Sequence, residues 1–192
     1  PLLKRDGTLW PGVVSGFLFA GEFAMIYMAL RYTDASRGVI FLYTAPFFVA
    51  LGARWWLPQE TMRWPQWAGM ALAFSGVLLL FGENLLKASG DAWIGDLMMV
   101  VGALFWASTT LVVKATALAR VAPEKTLLYQ LSVSAPVLLG LSLLAGEAGV
   151  FAPSAGVWAA LAYQTVIVAT IGYLAWFWLI RRYPTTRISS FS

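Results

Sequence analysis

Six long apolar segments dominate the chain and limit what it can fold into. They cover residues 11–30, 38–57, 66–82, 94–118, 126–146 and 156–180, and we call them segments A to F. An α-helix rises 1.5 Å per residue, so about 20 residues cross the roughly 30 Å hydrocarbon layer of a bilayer. The connectors hold too few polar residues to cover a soluble core of this size. We therefore expect an all-α, multi-pass integral membrane protein with six transmembrane helices.

The composition excludes most enzyme classes. The 192 residues are 60% hydrophobic and 11% charged, and they contain no His and no Cys. This chain therefore cannot supply a Ser-His-Asp triad, a Cys nucleophile, a disulfide or a typical structural zinc site. It also lacks a G-x-x-x-x-G-K-[ST] nucleotide-binding loop. We expect no enzyme activity, no metal and no cofactor.

The basic residues of the connectors predict an orientation. One set of connectors carries Lys4, Arg5, Arg54, Arg63, Arg120, Lys125, Arg181, Arg182 and Arg187. The opposite set carries Arg31, Arg37 and Lys87, together with Asp34, Glu83, Asp91 and Glu147. The positive-inside rule places the first set in the cytoplasm. Because these cations mark topology rather than one basic face, we expect no nucleic-acid binding.

A short internal repeat relates the two ends of the chain. A shift of 151 residues aligns Gly21 with Gly172, Ala24 with Ala175, Arg31 with Arg182 and Tyr32 with Tyr183, and a shift of 150 aligns Arg37 with Arg187 and Phe41 with Phe191. Both copies cover the end of one segment and the start of the next. Since A and F are five segments apart, the copies cross the bilayer in opposite directions. Inverted repeats of this kind are typical of secondary transporters.

The repeat predicts a longer protein with ten helices in an inverted five-plus-five arrangement. Residues 1–82 then form the C-terminal part of the first repeat, residues 94–192 the N-terminal part of the second, and residues 83–93 the linker. We expect two helices before segment A and a further helix that starts at Phe191 and Ser192.

Several short patterns, taken in order, resemble the EamA-type branch of the drug/metabolite transporter superfamily. The first half carries Ala29-Leu30-Arg31-Tyr32-Thr33-Asp34-Ala35-Ser36-Arg37, Pro46, and Leu57-Pro58-Gln59-Glu60 before Gln66-Trp67-x-Gly69. The second half carries Gly95-Asp96, Trp106, Tyr163-Gln164, Gly172-Tyr173 and Arg182-Tyr183-Pro184. The resemblance runs from the family's third helix to the start of its ninth. One departure is Pro58-Gln59-Glu60, because the family often has Gly directly before Glu.

The resemblance implies export of small amphipathic metabolites, such as amino acids or drug-like compounds, across a bacterial inner membrane by alternating access. It also implies a central cavity lined by helices one, three, four, six, eight and nine, of which A, B, D and F are four. One alternative is a nucleotide-sugar or organic-phosphate carrier, although Arg54 and Lys114 are the cations nearest the core and both lie close to one membrane face. Another is a truncated membrane fragment that does not transport.

Glu22 lies near the middle of segment A, where a charged side chain costs about 2.5–3.5 kcal/mol on insertion scales. At helical spacing it shares a face with Ser15, Phe19 and Ile26. We predict that Glu22 faces a cavity, where it binds a substrate amine or a proton that acts as the coupling ion. The alternative is a protonated glutamic acid that hydrogen-bonds to a neighbouring helix. The repeat places Tyr173 at the equivalent position of segment F.

Aromatic and hydroxyl side chains inside the segments extend this predicted pathway. The candidates are Tyr43 in B, Trp106 and Thr110 in D, and Tyr163, Thr170 and Tyr173 in F. The last three share one stripe at α-helical spacing. A mid-membrane indole can stack on an aromatic or cationic substrate. Each of these side chains also fits plain packing between helices.

The remaining features of the segments predict scaffold roles. Pro46 and Pro136 each remove a backbone hydrogen bond and permit a kink for gating or for packing. Two patterns of small residues, Gly12-x-x-x-Gly16 and Gly69 with Ala73, predict close helix contacts. We expect Lys114 to snorkel to a membrane face. For Glu60, Arg63, Arg31 and Arg37, which lie in connectors, we expect solvated or lipid-headgroup roles. Gln130 and Gln164 either link helices or contact substrate.

Overall fold

The computed structural model describes residues 6–60, 62–86, 90–147, 149 and 152–188. Six of its helical stretches are long and apolar enough to cross a membrane. They coincide with segments A to F within a few residues at each end, so the expected all-α membrane architecture is confirmed. The predictions made on Lys4, Arg5, Lys87, Phe191 and Ser192 concern residues outside the described ranges.

The helices are numbered in chain order. They are α1 (Leu9–Ala29), α2 (Ala35–Leu42), α3 (Ala45–Trp56), α4 (Trp64–Phe81), α5 (Glu83–Leu86), α6 (Ala92–Ala115), α7 (Pro123–Leu144), α8 (Ala155–Tyr163), α9 (Tyr173–Arg182) and α10 (Thr185–Ile188). Short 3₁₀ turns cover Pro58–Glu60 and Ala117–Arg120, and a π-helix covers Gln164–Gly172. We call the end where α1, α4 and α7 begin the basic end, and the opposite end the acidic end.

Segment B is two helices rather than one. The chain leaves α2 at Tyr43, where the Thr44 hydroxyl donates to the carbonyl of Phe41 at 2.5 Å. Pro46 occupies the first turn of α3, a position where its missing N–H is not needed. The predicted bend near Pro46 is therefore a full helix break just before it. Pro136, in contrast, lies inside α7, which continues on both sides.

Segment F is not a uniform α-helix. The π-helix joins α8 to α9, and inside it the Thr170 hydroxyl donates to the carbonyl of Thr165, five residues earlier, at 2.8 Å. The wider turn of a π-helix rotates the side chains that follow relative to α-helical spacing. The stripe of Tyr163, Thr170 and Tyr173 that α-helical spacing predicted is therefore not preserved.

The core forms around α1, which packs against α6 and α7. Both α2 and α3 pack on α6, while α9 packs on α7 and α10 lies against α3 and α9. Small residues such as Ala20, Ala53 and Ala103 are fully buried where these helices meet. Small side chains let the backbones approach closely, which replaces the hydrophobic driving force that lipid does not provide.

The predicted Gly12-x-x-x-Gly16 contact is present between α1 and α7. A Cβ added at Gly12 would lie 2.5 Å from the ring of Tyr129, and one added at Gly16 would lie 2.5 Å from Cβ of Val133. Gly69 has no neighbour within 4 Å of such a Cβ. The second predicted small-residue contact, at Gly69, is therefore not formed with any part of the chain that the structure describes.

We expect the Gly16→Leu substitution to destabilise the protein by about 1–3 kcal/mol, the usual cost of overpacking. The obstacle is the Cβ of Val133, which cannot rotate away, so α1 and α7 must separate. The control is Gly140→Leu in α7, where an added Cβ meets nothing within 4 Å. Thermal unfolding of the intact protein in detergent would measure both, and equal losses of stability in the two variants would contradict the close contact.

Candidate functional site

Glu22 is an acidic side chain buried in the middle of α1. The residue is 6% exposed, and its Oε2 atom has no hydrogen-bond partner among the described residues. Helix α6 lies against this turn at Gly102, where an added Cβ would lie 3.6 Å from the carbonyl oxygen of Glu22, an ordinary van der Waals distance. A carboxyl group at this depth is stable when it is protonated or when a cation joins it.

A cavity of about 240 Å³ opens beside Glu22. It is lined by Glu22, Ile26, Leu42, Tyr43, Ala45, Ala103 and Trp106. Three of these residues flank the break between α2 and α3, so the break itself forms one wall of the cavity. We call this the Glu22 cavity.

A second cavity, of about 470 Å³, lies between α6, the π-helix and α9. Its lining consists of Trp106, Ile167, Val168, Gly172, Tyr173 and Trp176. Trp106 borders both cavities. We call this second space the aromatic cavity.

The aromatic side chains between the two cavities form a packed cluster. The ring centroids of Trp106 and Trp176 are 5.6 Å apart, and those of Trp106 and Tyr173 are 5.8 Å apart. Tyr173 also meets Phe19 edge to face at 5.2 Å. Because Phe19 lies one turn from Glu22, the cluster brings Tyr173 to the Glu22 face of α1.

An aromatic ladder continues along α1 towards the acidic end. Ring centroids are 4.9 Å apart for Phe19 and Phe23 and 6.1 Å apart for Phe23 and Tyr27. Tyr27 borders a third cavity, of about 700 Å³, between α1 and α7. At its rim an Arg31 Nη2 atom lies 3.3 Å from Oε1 of Glu147, and both side chains are at least half exposed.

The structure does not unite all the residues that the sequence singled out. The Glu22 cavity contains Glu22, Tyr43 and Trp106 in its lining, and the aromatic cavity contains Trp106 and Tyr173. Thr110 is buried nearer the basic end and lines neither. Tyr163 and Thr170 are exposed and lie outside both cavities. Trp176 belongs to the cluster and was missed, although its spacing of three residues from Tyr173 would have indicated a shared helix face.

A buried ion pair closes the acidic end between α2 and α6. The Arg37 guanidinium donates from Nε to Oδ1 of Asp96 at 2.8 Å, and it also donates from Nη1 to the carbonyl of Leu85 at 2.8 Å. Thr33 adds a hydroxyl donor to the same carboxylate. The side chains of Arg37 and Asp96 are only 11% and 10% exposed. The expectation that Arg37 is solvated is therefore wrong.

A second polar cluster closes the basic end. Lys114 Nζ lies 3.3 Å from Oε1 of Glu60 and donates to the carbonyls of Ile180 and Tyr183 at the end of α9. The other oxygen of Glu60 accepts from the backbone N–H of Thr185 at 2.6 Å. Lys114 therefore does not snorkel to the membrane face, and Glu60 is not freely solvated. Both expectations failed because the partners come from elements far apart in the sequence.

A third link at the basic end joins the start of α1 to α7. Lys125 Nζ donates to Oδ2 of Asp6 at 2.8 Å, and Tyr129 Oη lies 3.2 Å from the hydroxyl of Thr8. The hydrogen bond from Lys125 lowers the pKa of Asp6 to about 2, with a smaller contribution from Thr8. Asp6 therefore stays ionised at neutral pH.

The lining of the Glu22 cavity and the aromatic cavity defines what they can bind. Their described lining residues include one carboxyl group, two tyrosines and two tryptophans, but neither Lys nor Arg. The described residues contain no cluster of three or more acidic side chains that could hold a metal ion. An aromatic wall with one acid suits an aromatic or cationic organic compound.

Comparison with known proteins assigns the sequence to a family. The EamA-like transporter family matches residues 2–82 and 93–192. An uncharacterized transporter of Archaeoglobus fulgidus is 26% identical over 193 residues, which cover 98% of this chain and 65% of that protein. The uncharacterized transporter YyaM of Bacillus subtilis is 27% identical over 171 residues, which cover 88% of this chain and 55% of that protein.

A third relative is a riboflavin transporter of Rhizobium johnstonii, 32% identical over 113 residues, or 58% of this chain and 35% of that protein. No solved structure shows a significant match. The chain spans less than two thirds of the length of these curated relatives. The resemblance read from the sequence is confirmed, as is the expectation that the chain is not an enzyme. Since the family matches almost every residue, this chain belongs to the EamA-like transporter family.

Proposed function

We propose that the intact protein is a secondary transporter that carries small amphipathic compounds past Glu22. The single observation that supports this most is a buried carboxyl group with one unpartnered oxygen, set beside aromatic walls without a cation. A substrate that carries an aromatic ring and a protonated amine fits both features. The amine pairs with Glu22, and the ring stacks on Trp106 or Trp176.

The energetics favour such a compound over a plain hydrocarbon. Placing a charge at this depth costs about 2.5–3.5 kcal/mol on insertion scales, and a substrate cation offsets that cost when it meets the carboxylate. A cation over an aromatic face adds about 2 kcal/mol when both are desolvated. The aromatic ladder of Phe19, Phe23 and Tyr27 extends the same surface towards the acidic end.

We place the transporter in a bacterial inner membrane with outward transport, as the family resemblance implies. Residues 1–82 and 94–192 would belong to inverted halves that move relative to each other around the two cavities. The break between α2 and α3 and the π-helix both border these cavities. Irregular helix segments beside a cavity are typical of transporter binding sites.

The riboflavin transporter among the relatives supports a planar aromatic substrate. The aromatic cavity of about 470 Å³ lies within the range of typical small-molecule sites. Riboflavin is therefore included with aromatic amines among the probes below.

An organic-phosphate or nucleotide-sugar carrier is the alternative within transport. Phosphate recognition calls for Arg or Lys side chains that donate to its oxygens. No Lys or Arg lines the Glu22 cavity or the aromatic cavity in the described part of the chain. Arg37 and Lys114 already contact Asp96 and Glu60. This arrangement favours an amine over a phosphate.

The test compares metabolites in the medium and the cytoplasm of cells that overproduce the intact protein. We expect one class of aromatic or amine compounds to accumulate outside, and the Glu22→Gln substitution to reduce this by at least about tenfold, because a neutral amide cannot pair with a cation. Glu124→Gln is the control, since Glu124 is exposed in the first turn of α7. Purified protein titrated with an aromatic amine and with riboflavin would show the same ranking through tryptophan fluorescence.

Several outcomes would contradict the proposal. Equal export by the wild type and the Glu22→Gln variant would remove Glu22 from the pathway. Selective export of phosphorylated compounds would favour the alternative carrier. Profiles identical to those of an empty vector, together with no binding of either fluorescence probe, would favour a membrane fragment that does not transport.

A further inference from the structure

A file of buried polar side chains runs from Glu22 to the basic end, where α1, α6 and α7 meet. Its members are all less than one-tenth exposed: Thr8 and Ser15 from α1 and its cap, Thr109 and Thr110 from α6, and Thr126, Gln130 and Ser134 from α7. Hydroxyl and amide side chains are common at helix interfaces inside a membrane, where they form hydrogen bonds between helices. This group differs in that it lies on one side of Glu22 and includes buried atoms without a hydrogen-bond partner among the described residues.

Two contacts fix how α1 and α7 face each other along this file. The Thr8 and Tyr129 hydroxyl groups are 3.2 Å apart, and Gln130 Nε2 donates to Ser15 Oγ at 2.9 Å. Both helices start at the basic end, and Gly16 lies against Val133. Residues of α7 thus lie level with residues of α1 that are about 115 to 121 positions earlier.

This register places Ser134 in the gap between Ser15 and Glu22. By the two nearest contacts, Gln130 with Ser15 and Val133 with Gly16, Ser134 lies level with residues 17–19 of α1. Thr126 lies level with residues 5–11, around Thr8. Seven residues of helix span about 10 Å, so a group at the midpoint leaves about 5 Å on each side. One water molecule bridges such a gap with two hydrogen bonds.

Unpartnered buried atoms occur along the file. Glu22 Oε2, Thr109 Oγ1 and Gln130 Oε1 are buried and have no hydrogen-bond partner in the described ranges of the chain. Buried acceptors without a protein partner are rare in native proteins and usually bind ordered water. These three atoms are therefore candidate water ligands, two of them in the file and one at its end.

Among the described residues, the opposite direction from Glu22 lacks such groups. Towards the acidic end, the buried residues of α1 and α6 are apolar at Ala29, Met99 and Ala103, and the next polar contact is the paired Arg37 and Asp96. In this part of the chain, the polar groups that can hold water along the helix interface therefore lie on the basic side of Glu22.

The groups that face Glu22 leave it as the proton acceptor of this region. The titratable side chains around Glu22 are Tyr43 at the end of α2, Tyr173 on α9 and Tyr27 on α1 itself. The charged groups of α7 and α6 lie further away: Lys125 near the basic end, and Asp96 with its Arg37 partner near the acidic end. Tyrosine and lysine side chains ordinarily keep their protons at neutral pH, and the Asp96 carboxylate is paired with Arg37, which leaves Glu22 as the acceptor.

We propose that this polar file is a hydrated proton route between Glu22 and the basic end, which the positive-inside rule assigns to the cytoplasm. The inference rests on the proposed function, because Glu22 is its end point. A proton leaves a hydronium ion at the basic end, passes along waters held by Thr126, Gln130 and Ser134, and finishes on Glu22 Oε2. Only O–H bonds form and break, and no other reactant takes part.

The test follows the protonation of Glu22 directly and needs no substrate. The intact protein is reconstituted in vesicles with the basic end facing one compartment, and the pH is stepped there. Infrared difference spectra record the carbonyl stretch of the protonated carboxyl, identified by its loss in Glu22→Gln. We expect Gln130→Leu and Ser15→Ala each to slow the response by roughly tenfold. Each substitution removes a hydrogen-bonding group from the route and so raises the barrier to proton transfer.

Two exposed residues provide matched controls, Gln164→Leu in the π-helix and Ser75→Ala in α4. The melting temperature of each of the four variants is measured in parallel, so that a change in the rate of proton exchange is separated from a change in stability. If the file is only structural, Gln130→Leu and Ser15→Ala lower the melting temperature and leave the rate of proton exchange unchanged. That result would overturn the inference.

Two more results would count against the route. A response that is fast after a pH step at the acidic end and slow after one at the basic end would reverse its direction. The absence of any carboxyl band removed by Glu22→Gln would show that Glu22 does not exchange protons, while Glu22 could still bind a substrate amine. The failure of this inference is therefore distinguishable from the failure of the proposed function.

Discussion

Replacing Asp96 with Asn should lower the free energy of unfolding by about 3–5 kcal/mol, the usual loss when one partner of a buried ion pair is removed. The Arg37 guanidinium is almost enclosed, and the substitution removes the Asp96 carboxylate that pairs with it. The Leu85 carbonyl remains as an acceptor but carries no full charge. Thermal or chemical unfolding of the intact protein in detergent measures the effect.

Two further variants test whether burial of the charge is the cause. Glu147→Gln breaks the Arg31 pair, whose side chains are 61% and 50% exposed, and we expect a change within about 1 kcal/mol. The double substitution Arg37→Leu with Asp96→Leu should recover most of the loss, because it removes both charges together. A single variant as stable as the wild type, or a double variant less stable than the single one, would contradict this account.

The Glu60→Gln substitution should destabilise the basic end by about 3 kcal/mol, at the lower limit for a buried pair. Lys114 keeps the carbonyls of Ile180 and Tyr183 as acceptors, so it loses its counter-charge but not all its hydrogen bonds. Glutamine can still accept from the N–H of Thr185. The expected result is therefore a looser junction between α6, α9 and α10 rather than global unfolding.

Thiol labelling reports on that junction. The 192 residues contain no cysteine, and Thr185 is fully buried. A Thr185→Cys probe should react slowly with a membrane-impermeant maleimide in the parent protein and faster when Glu60→Gln is added. Glu124→Gln, at an exposed position, serves as the control. Equal labelling rates in all three backgrounds would show that Glu60 does not hold the junction together.

The sequence alone was sufficient for the six spans, since twenty-residue apolar segments leave few alternatives to transmembrane helices. It was also sufficient for the Gly12 and Gly16 contact, because small residues four apart on one helix face permit close packing. Glu22 stood out because an acid is rare at that depth. These features depend on local composition and on helical spacing, both of which can be read from adjacent residues.

Local pattern indicated an irregularity at Pro46 but not the π-helix at Gln164–Gly172. No proline or similar signal marks that segment, and the π-helix invalidated the stripe predicted for Tyr163, Thr170 and Tyr173. In the same way, Lys114 looked like a snorkelling anchor because its partners Glu60 and Tyr183 are more than fifty residues away in sequence.

The sequence by itself determined the membrane class, the number of spans, the family and the acid at the centre of α1. Only the tertiary structure decided which side chains share a cavity with Glu22, which charges are paired at the two ends, and that polar groups line one side of Glu22 and not the other. The physical reason is that hydropathy and helix period are properties of one segment. Burial, ion pairing and cavities arise from residues that distant segments bring together.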